Sequence, residues 1–375
     1  MHHRPLGKTG LTVSQLGFGA MRLPMKGVGP SSIVDLDLAI PMIHRAFEAG
    51  VNYIDTAVMY CNDDSQRAVG EALKGWRDKV VVSTKNHYFG EDEKEWWTLL
   101  EQSLERLQID SIDIYNHHGV NRESFQKLVL PTMSRWMEKA KDQGLIKHVC
   151  CSFHDGNDAL CEIVDSGYPA VITLQYNLLD RQLENGMARA HEKGIGIIVM
   201  GPVGGGRLGS ANKVFEALVP DVKRIPELAL NFVLANSNVD MAISGMGTME
   251  QVEENVAIVS NLHKLTDGDK AAINDQLERL KKMADLYCTG CGYCMPCPTG
   301  VNIPRVFDAY NDARVYGLWD HARRNYAKLM QPDDGKDGHG ADVCVECGEC
   351  LPKCPQHIDI PAQLKQSQTG LTKGS

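Results

Sequence analysis

No apolar run in this 375-residue chain approaches the roughly 18 residues of a membrane-spanning helix. The opening stretch, MHHRPLGKTGLTVSQLGFG, has no apolar segment behind its basic residues. These absences predict a soluble, cytoplasmic protein without a membrane partner. Positive charge is also short, with 39 Lys and Arg against 48 Asp and Glu and a formal net charge of -9. That leaves no basic footprint for nucleic acid, so the expected partners are small molecules or other proteins. No GxGxxG follows the first strand-like segment, so the usual fingerprint of an open dinucleotide-binding sheet is missing.

Cysteine, by contrast, is plentiful and uneven. Eight of the 12 cysteines fall in two runs, CTGCGYCMPCP from Cys288 and CVECGECLPKCP from Cys344. In the reducing compartment expected here, metal binding or redox chemistry is a better reading than disulfides. Each run has three cysteines at two-residue intervals and a fourth followed by proline, and CPTGVNIP at 297–304 is answered by CPQHIDIP at 354–361. Three thiolates so spaced can bind three irons of one cubane and leave the fourth iron for a ligand from elsewhere. Structural zinc, the competing reading, usually takes separated pairs and needs neither the third close cysteine nor the proline. Cys61, Cys150, Cys151 and Cys161 lie apart and read as packing residues, with Cys61 placed beside Tyr60.

Ahead of these runs, up to Asn261, short β-branched segments alternate with segments of helical period. Strands are predicted at VSQLGFG, VNYIDT, KVVVSTK, IDIYNHH, KHVCCSF, AVITLQY, GIGIIVM and DMAISG. Eight strand-plus-helix units suggest a closed parallel (β/α)8 TIM barrel, in which function gathers past the carboxyl ends of the strands. There stand Asp55, Tyr60, Lys85, His117, His118, Ser152, His154, Gln175, Asn177 and the loop GPVGGGRLG. Taken singly, each reads as well as a helix cap, a solvated strand end or a buried polar group. Gathered at one end of one barrel they read as a site. A phenol beside an ammonium can give a proton to a developing alkoxide, a carboxylate can hold that ammonium, and a histidine at the oxygen can orient a carbonyl.

Thr266 with Asp269 three residues later opens a further helical run, TDGDKAAINDQLERLKKMADLY. The expected organisation is a barrel over residues 1–265, a linker helix over 266–287 and a small, mostly helical domain over 288–375.

The segments RPLGKTGLTVSQLGFGAMRLP, GVNYIDTAVMY, VVVSTK, IDIYNHHGV and TLQYNLLDRQ come in the order found in the aldo-keto reductases, and residues 4 to 261 resemble that family. The resemblance implies NAD(P)-dependent carbonyl reduction or alcohol oxidation, with Asp55, Tyr60, Lys85 and His118 as the catalytic set and Tyr60 as proton donor. It implies cofactor contacts from Gly19, Met21, Arg22, Ser152, Gln175, Met200, Asn255 and the loop Gly204, Gly205, Gly206, Arg207 and Leu208. The positions where NADPH-preferring members carry cations hold Gly245 and Gln251 here, which favours NADH or a relaxed preference because a 2'-phosphate would lose its charge-assisted bonds unless Arg207 supplies them.

The cysteine-rich end resembles the α-helical ferredoxins. That likeness implies two 4Fe-4S clusters, one on Cys288, Cys291, Cys294 and Cys354, the other on Cys344, Cys347, Cys350 and Cys297, and admits a redox partner protein. Cys297 follows Cys294 after two residues, whereas Cys354 follows Cys350 after three. Hydride chemistry and single-electron clusters join only through a converter such as flavin, for which the sequence has no motif. The competing function is a catalytically silent barrel acting as a redox-sensing or docking module for an electron-transfer partner.

Overall fold

The computed structural model describes the chain apart from residues 28, 205–207, 209–221, 223, 286, 287, 289, 291, 331–337, 355, 356 and 373–375, and apart from the side chains of 30 and 281–285. By its internal contacts it divides into two compact units, Met1–Gly205 with Pro226–Lys264, and Gly206–Ile225 with Leu265–Ser375.

In the first unit, eight parallel strands close a barrel. They are β1 (Leu16–Gly19), β2 (Tyr53–Asp55), β3 (Val81–Asn86), β4 (Ile112–Val120), β5 (Ile146–Phe153), β6 (Val171–Gln175), β7 (Gly196–Met200) and β8 (Met241–Gly245). Each pairs with its neighbours in sequence, and β8 returns to β1 with Ile243 opposite Gly17. All eight predicted segments are strands of this barrel. Gly19 is needed where β1 and β8 converge, because a Cβ there would stand 2.9 Å from the side chain of Ile243.

Side chains two apart on a strand share a face, and that period sorts the barrel. Tyr53, Ile114, Cys150, Val171, Ile198 and Met241 form an apolar interior cluster. Leu6 and Val13, from the segments around an antiparallel hairpin (His3–Pro5 with Thr12–Ser14), join the same cluster, so the hairpin closes the amino-terminal end of the barrel. Two residues further along β2, β4 and β5 the interior positions turn polar, as Asp55, Asn116 and Ser152. The barrel is thus dry at one end and chemical at the other.

The second unit has helices Asp267–Asp285, Ile303–Arg314, Trp319–Met330 and Ile360–Thr372. Thr266 and Asp269 cap the first reciprocally: the Asp269 N–H donates to Thr266 Oγ1 at 3.1 Å and the Thr266 N–H to Asp269 Oδ2 at 2.8 Å. The internal repeat is structural as well. Asn302 Oδ1 accepts from the Arg305 N–H at 3.3 Å and Asp359 Oδ1 from the Ala362 N–H at 3.2 Å, each ahead of an Ile-Pro helix start. Both isoleucines, Ile303 and Ile360, enter one core with Val306, Phe307, Tyr326 and Leu364. Among the described residues, no helix is long and apolar enough to cross a membrane.

Candidate active site

The polar end of the barrel is organised around Lys85 at the end of β3. Its ammonium donates to Asp55 Oδ1 at 2.5 Å and to the Thr56 carbonyl at 2.9 Å. Asp55 is also held from its other oxygen by the Ser83 hydroxyl at 2.9 Å, and Asn116 donates to that hydroxyl at 3.0 Å. Ser83 lies two before Lys85 and Asn116 two before His118, so the same alternation that builds the barrel wall carries this network. Burial works against the lysine charge, but Asp55 and Tyr60 outweigh it and leave its pKa above the ordinary value.

Tyr60 follows β2 and lies under the ammonium, whose nitrogen is 4.8 Å from the ring centroid. Burial raises the phenol pKa above its usual value, Lys85 works the other way, and Asp55 adds to the rise. His118, in β4, meets Tyr60 edge-on with 6.0 Å between ring centroids. Burial first, then Lys85 and the imidazoles of His154 and His87, push the His118 pKa down to about 3. It is a neutral donor or acceptor at physiological pH. The preceding His117 points the other way and pairs with the Tyr168 hydroxyl at 2.9 Å. Asp55, Tyr60, Lys85 and His118 are therefore one constellation.

Three features of the loop carrying Tyr60 escaped sequence reasoning. Cys61, Asn62 and Asp63 all take positive φ, 54°, 53° and 65°, a run that L-residues rarely adopt. Asn62 fastens it by donating to Ser32 Oγ at 2.8 Å and to the Ser32 carbonyl at 3.2 Å. Thr56 and Ser65 close the loop from beneath, hydroxyl to hydroxyl at 2.7 Å, and Ser65 donates to the Ala20 carbonyl at 2.7 Å. No local motif announces such a turn.

The expected cofactor residues divide. Ser152 is paired in register with His118, and its hydroxyl is buried without a partner among the described residues. An orphan hydroxyl beside the constellation suits a carboxamide that would satisfy it. Gln175 pairs in register with Met200, and its amide donates to Asp180 Oδ2 at 2.9 Å. Gly204, at φ 59°, closes a turn by donating to the Gly201 carbonyl at 2.8 Å. Asn255 is buried and donates to Ser244 Oγ at 2.9 Å. Met21 is exposed and Leu208 buried, while Gly205, Gly206 and Arg207 lie outside the described residues. At Gly245 a Cβ would touch the Arg22 side chain at 3.4 Å, and Gln251 Oε1 accepts from the Gly247 N–H at 2.8 Å.

In the second unit, Cys294, Cys297, Cys344, Cys347 and Cys350 line one pocket. Cys297 begins a turn in which the backbone N–H groups of Thr299, Gly300 and Val301 and the Thr299 hydroxyl outweigh burial and hold its thiol below the ordinary pKa. Thiolate is the form that iron takes. Cys294 is buried in the helical core, with Cys288 and Cys354 among the residues packed on it; Cys291 lies outside the described residues. The sulfur donors lining this pocket suit iron–sulfur ligation in kind, but among the described residues no group of three or more stands close enough together to hold a metal ion.

Known families match both the barrel and the cysteine-rich end. The Aldo/keto reductase family profile matches residues 15–278 and the 4Fe-4S dicluster domain profile residues 287–358. The chain is 31% identical over 329 residues to an NADH-specific methylglyoxal reductase of Escherichia coli (strain K12), covering 74% of this chain and 99% of that one. It is 30% identical over 291 residues to L-galactose dehydrogenase of Arabidopsis thaliana, covering 70% and 89%. Among solved structures, an aldo-keto reductase of Bacillus halodurans in its holo form matches with a TM-score of 0.64 at 28% identity, covering 74% of this chain and 96% of that one.

Proposed function

The chain belongs to the aldo/keto reductase family and carries a 4Fe-4S dicluster domain, and on that premise we propose that its barrel reversibly reduces a small carbonyl compound with NADH. The observation that carries the reading is the buried ion pair of Asp55 and Lys85 set under the Tyr60 ring, with His118 against its edge.

When bound, a nicotinamide supplies the hydride taken by the carbonyl carbon. Ser152, Gln175, Met200, Gly204 and Asn255 are the described residues that would hold the cofactor, with Gly19, Met21, Arg22 and Leu208 flanking. Tyr60 gives its proton to the carbonyl oxygen as the C=O π bond opens, and is reprotonated from solvent. Lys85 stabilises the phenolate left behind, and Asp55 keeps that ammonium charged and in place. His118 donates a hydrogen bond to the same oxygen and needs no proton exchange to do so, because its ring is neutral. NADH is favoured because Gln251 presents a carbonyl oxygen, already engaged with Gly247, where a 2'-phosphate would need a cation. The NADH specificity named for the Escherichia coli relative agrees.

In the second unit, Cys344, Cys347, Cys350 and Cys297 would hold one 4Fe-4S cluster and Cys288, Cys291, Cys294 and Cys354 the other, serving electron exchange with a partner, redox sensing or bracing of the fold.

Tyr60→Phe tests the reading. NADH-dependent carbonyl reduction by the anaerobically prepared protein should fall by at least about 100-fold, with NADH binding retained. Unchanged reduction would remove Tyr60 from the chemistry, and a wild-type protein that reduces no carbonyl would leave the silent docking module as the reading. Visible cluster absorbance that bleaches on addition of NADH would show electrons passing between barrel and clusters.

A further inference from the structure

Two imidazoles elsewhere in the barrel are tied down: His117 to the Tyr168 hydroxyl at 2.9 Å and His44 to the Ala72 carbonyl at 2.9 Å. At the mouth the pattern reverses. His87, His118 and His154 leave three consecutive strands, β3, β4 and β5. Asn86 and His117 are partners across the sheet, so His87 and His118 continue side by side from that pair. On the other flank His118 is paired with Ser152, and the His154 N–H donates to the Val120 carbonyl at 2.8 Å. None of these three side chains has a hydrogen-bond partner among the described residues, and Nδ1 of His87 is buried without one. Three imidazoles thus stand in a row, His118 against the Tyr60 ring and His87 and His154 near His118, with their hydrogen-bonding capacity unspent.

The charge state of two of them is legible. Burial and then Lys85 lower the His154 pKa, and His118 is held at about 3. The nearby ammonium of Lys85 is committed to Asp55. His118 and His154 therefore offer neutral imidazoles, each with one N–H donor and one acceptor nitrogen, and His87 adds its buried, unpartnered Nδ1. Such groups suit hydroxyls, which both give and accept hydrogen bonds, better than they suit a carboxylate, which wants cations, or an alkyl chain, which would bury them unpaired.

We propose that His87 and His154, flanking His118, recognise hydroxyl groups next to the reacting carbonyl, so that the substrates are small, uncharged hydroxyaldehydes or hydroxyketones. The proposal rests on the carbonyl-reducing reading of the same site and adds to it the substrate class and two specificity residues. The chemical step is unchanged: hydride to the carbonyl carbon, the Tyr60 proton to oxygen, alcohol and oxidised nicotinamide as products.

Glyceraldehyde and propanal share a three-carbon chain and differ in their hydroxyls, so the ratio of their kcat/KM values with NADH reads the rim. The wild-type ratio should favour glyceraldehyde by about tenfold or more, about one well-made hydrogen bond. His87→Phe and His154→Phe should each lower that ratio severalfold, chiefly through KM for glyceraldehyde, and His154→Gln should restore part of it. A wild-type preference for propanal, or a ratio unmoved by the substitutions, overturns the rim and leaves the carbonyl-reducing reading standing. A protein that reduces neither compound overturns both. Should a Phe variant fail to fold, the wild-type ratio and the Gln variant decide.

Discussion

Lys85 and Asp55 meet at 2.5 Å in the polar end of the barrel with side chains only 2% and 7% exposed. A buried pair of this kind adds little over an apolar pair, but removing one partner strands the other, at about 3–5 kcal/mol. Asp55→Asn and Lys85→Met should each lose stability in that range in urea unfolding. The double variant should lose clearly less than the sum, because no uncompensated charge remains. Additive losses would mean that the two charges are not coupled.

A second prediction concerns acid. Burial holds the His117 pKa at about 3, whereas an unfolded histidine titrates near 6.5. Between those values the unfolded chain binds the proton and the folded chain does not. The histidine's contribution to stability is therefore full above about pH 6.5 and is lost as pH falls towards 3, by about 1.4 kcal/mol per pH unit. His117→Gln should flatten that slope between pH 7 and 5 by about one proton. It should also weaken the protein at pH 7 if the Tyr168 bond is not remade. His118 is neutral over the same range, so the rate of carbonyl reduction should show no inflection near 6.5 from this residue.

The barrel was legible in the sequence because its strands are short apolar, β-branched runs and its helices repeat their apolar residues at three and four. That Asp55, Tyr60, Lys85 and His118 meet was legible because each lies near or just past the carboxyl end of a strand; their catalytic role is the proposal that Tyr60→Phe tests. The network behind them was not recognised. Ser83 and Asn116 are ordinary residues for a strand, and only closure of the barrel brings one to the carboxylate and the other to Ser83. The turn after Tyr60 was hidden for a different reason. Cysteine, asparagine and aspartate in sequence do not specify three left-handed residues, which are imposed by bonds to Ser32, 30 positions away.

That turn gives the third prediction. Asn62→Ala removes the side-chain bonds to Ser32 and places a residue poorly suited to φ 53° in the bend. A stability loss of about 1–2 kcal/mol is expected. Because Tyr60 is carried on this turn, kcat for carbonyl reduction should fall while the affinity for NADH changes little. Asn62→Gly should recover the backbone share of the stability but not the share from the lost bonds. Equal behaviour of Ala and Gly would mean that backbone strain contributes nothing there.

The fourth prediction settles the spacing of Cys297. It stands one residue closer to its preceding cysteine than Cys354 does to Cys350, yet the fold brings it to the pocket of Cys344, Cys347 and Cys350, which Cys294 also lines. If it completes that cluster, Cys297→Ser and Cys350→Ser should give the same phenotype: about four irons per chain where the wild type holds about eight. The electron paramagnetic resonance signal of the same reduced cluster should be lost in both. If Cys297 instead served the cluster of Cys288 and Cys294, its variant would match Cys288→Ser and lose the other signal. Carbonyl reduction should survive in all three variants, since the proton donor, ion pair and mouth histidines belong to the barrel. Loss of reduction together with loss of either cluster would tie the clusters to turnover.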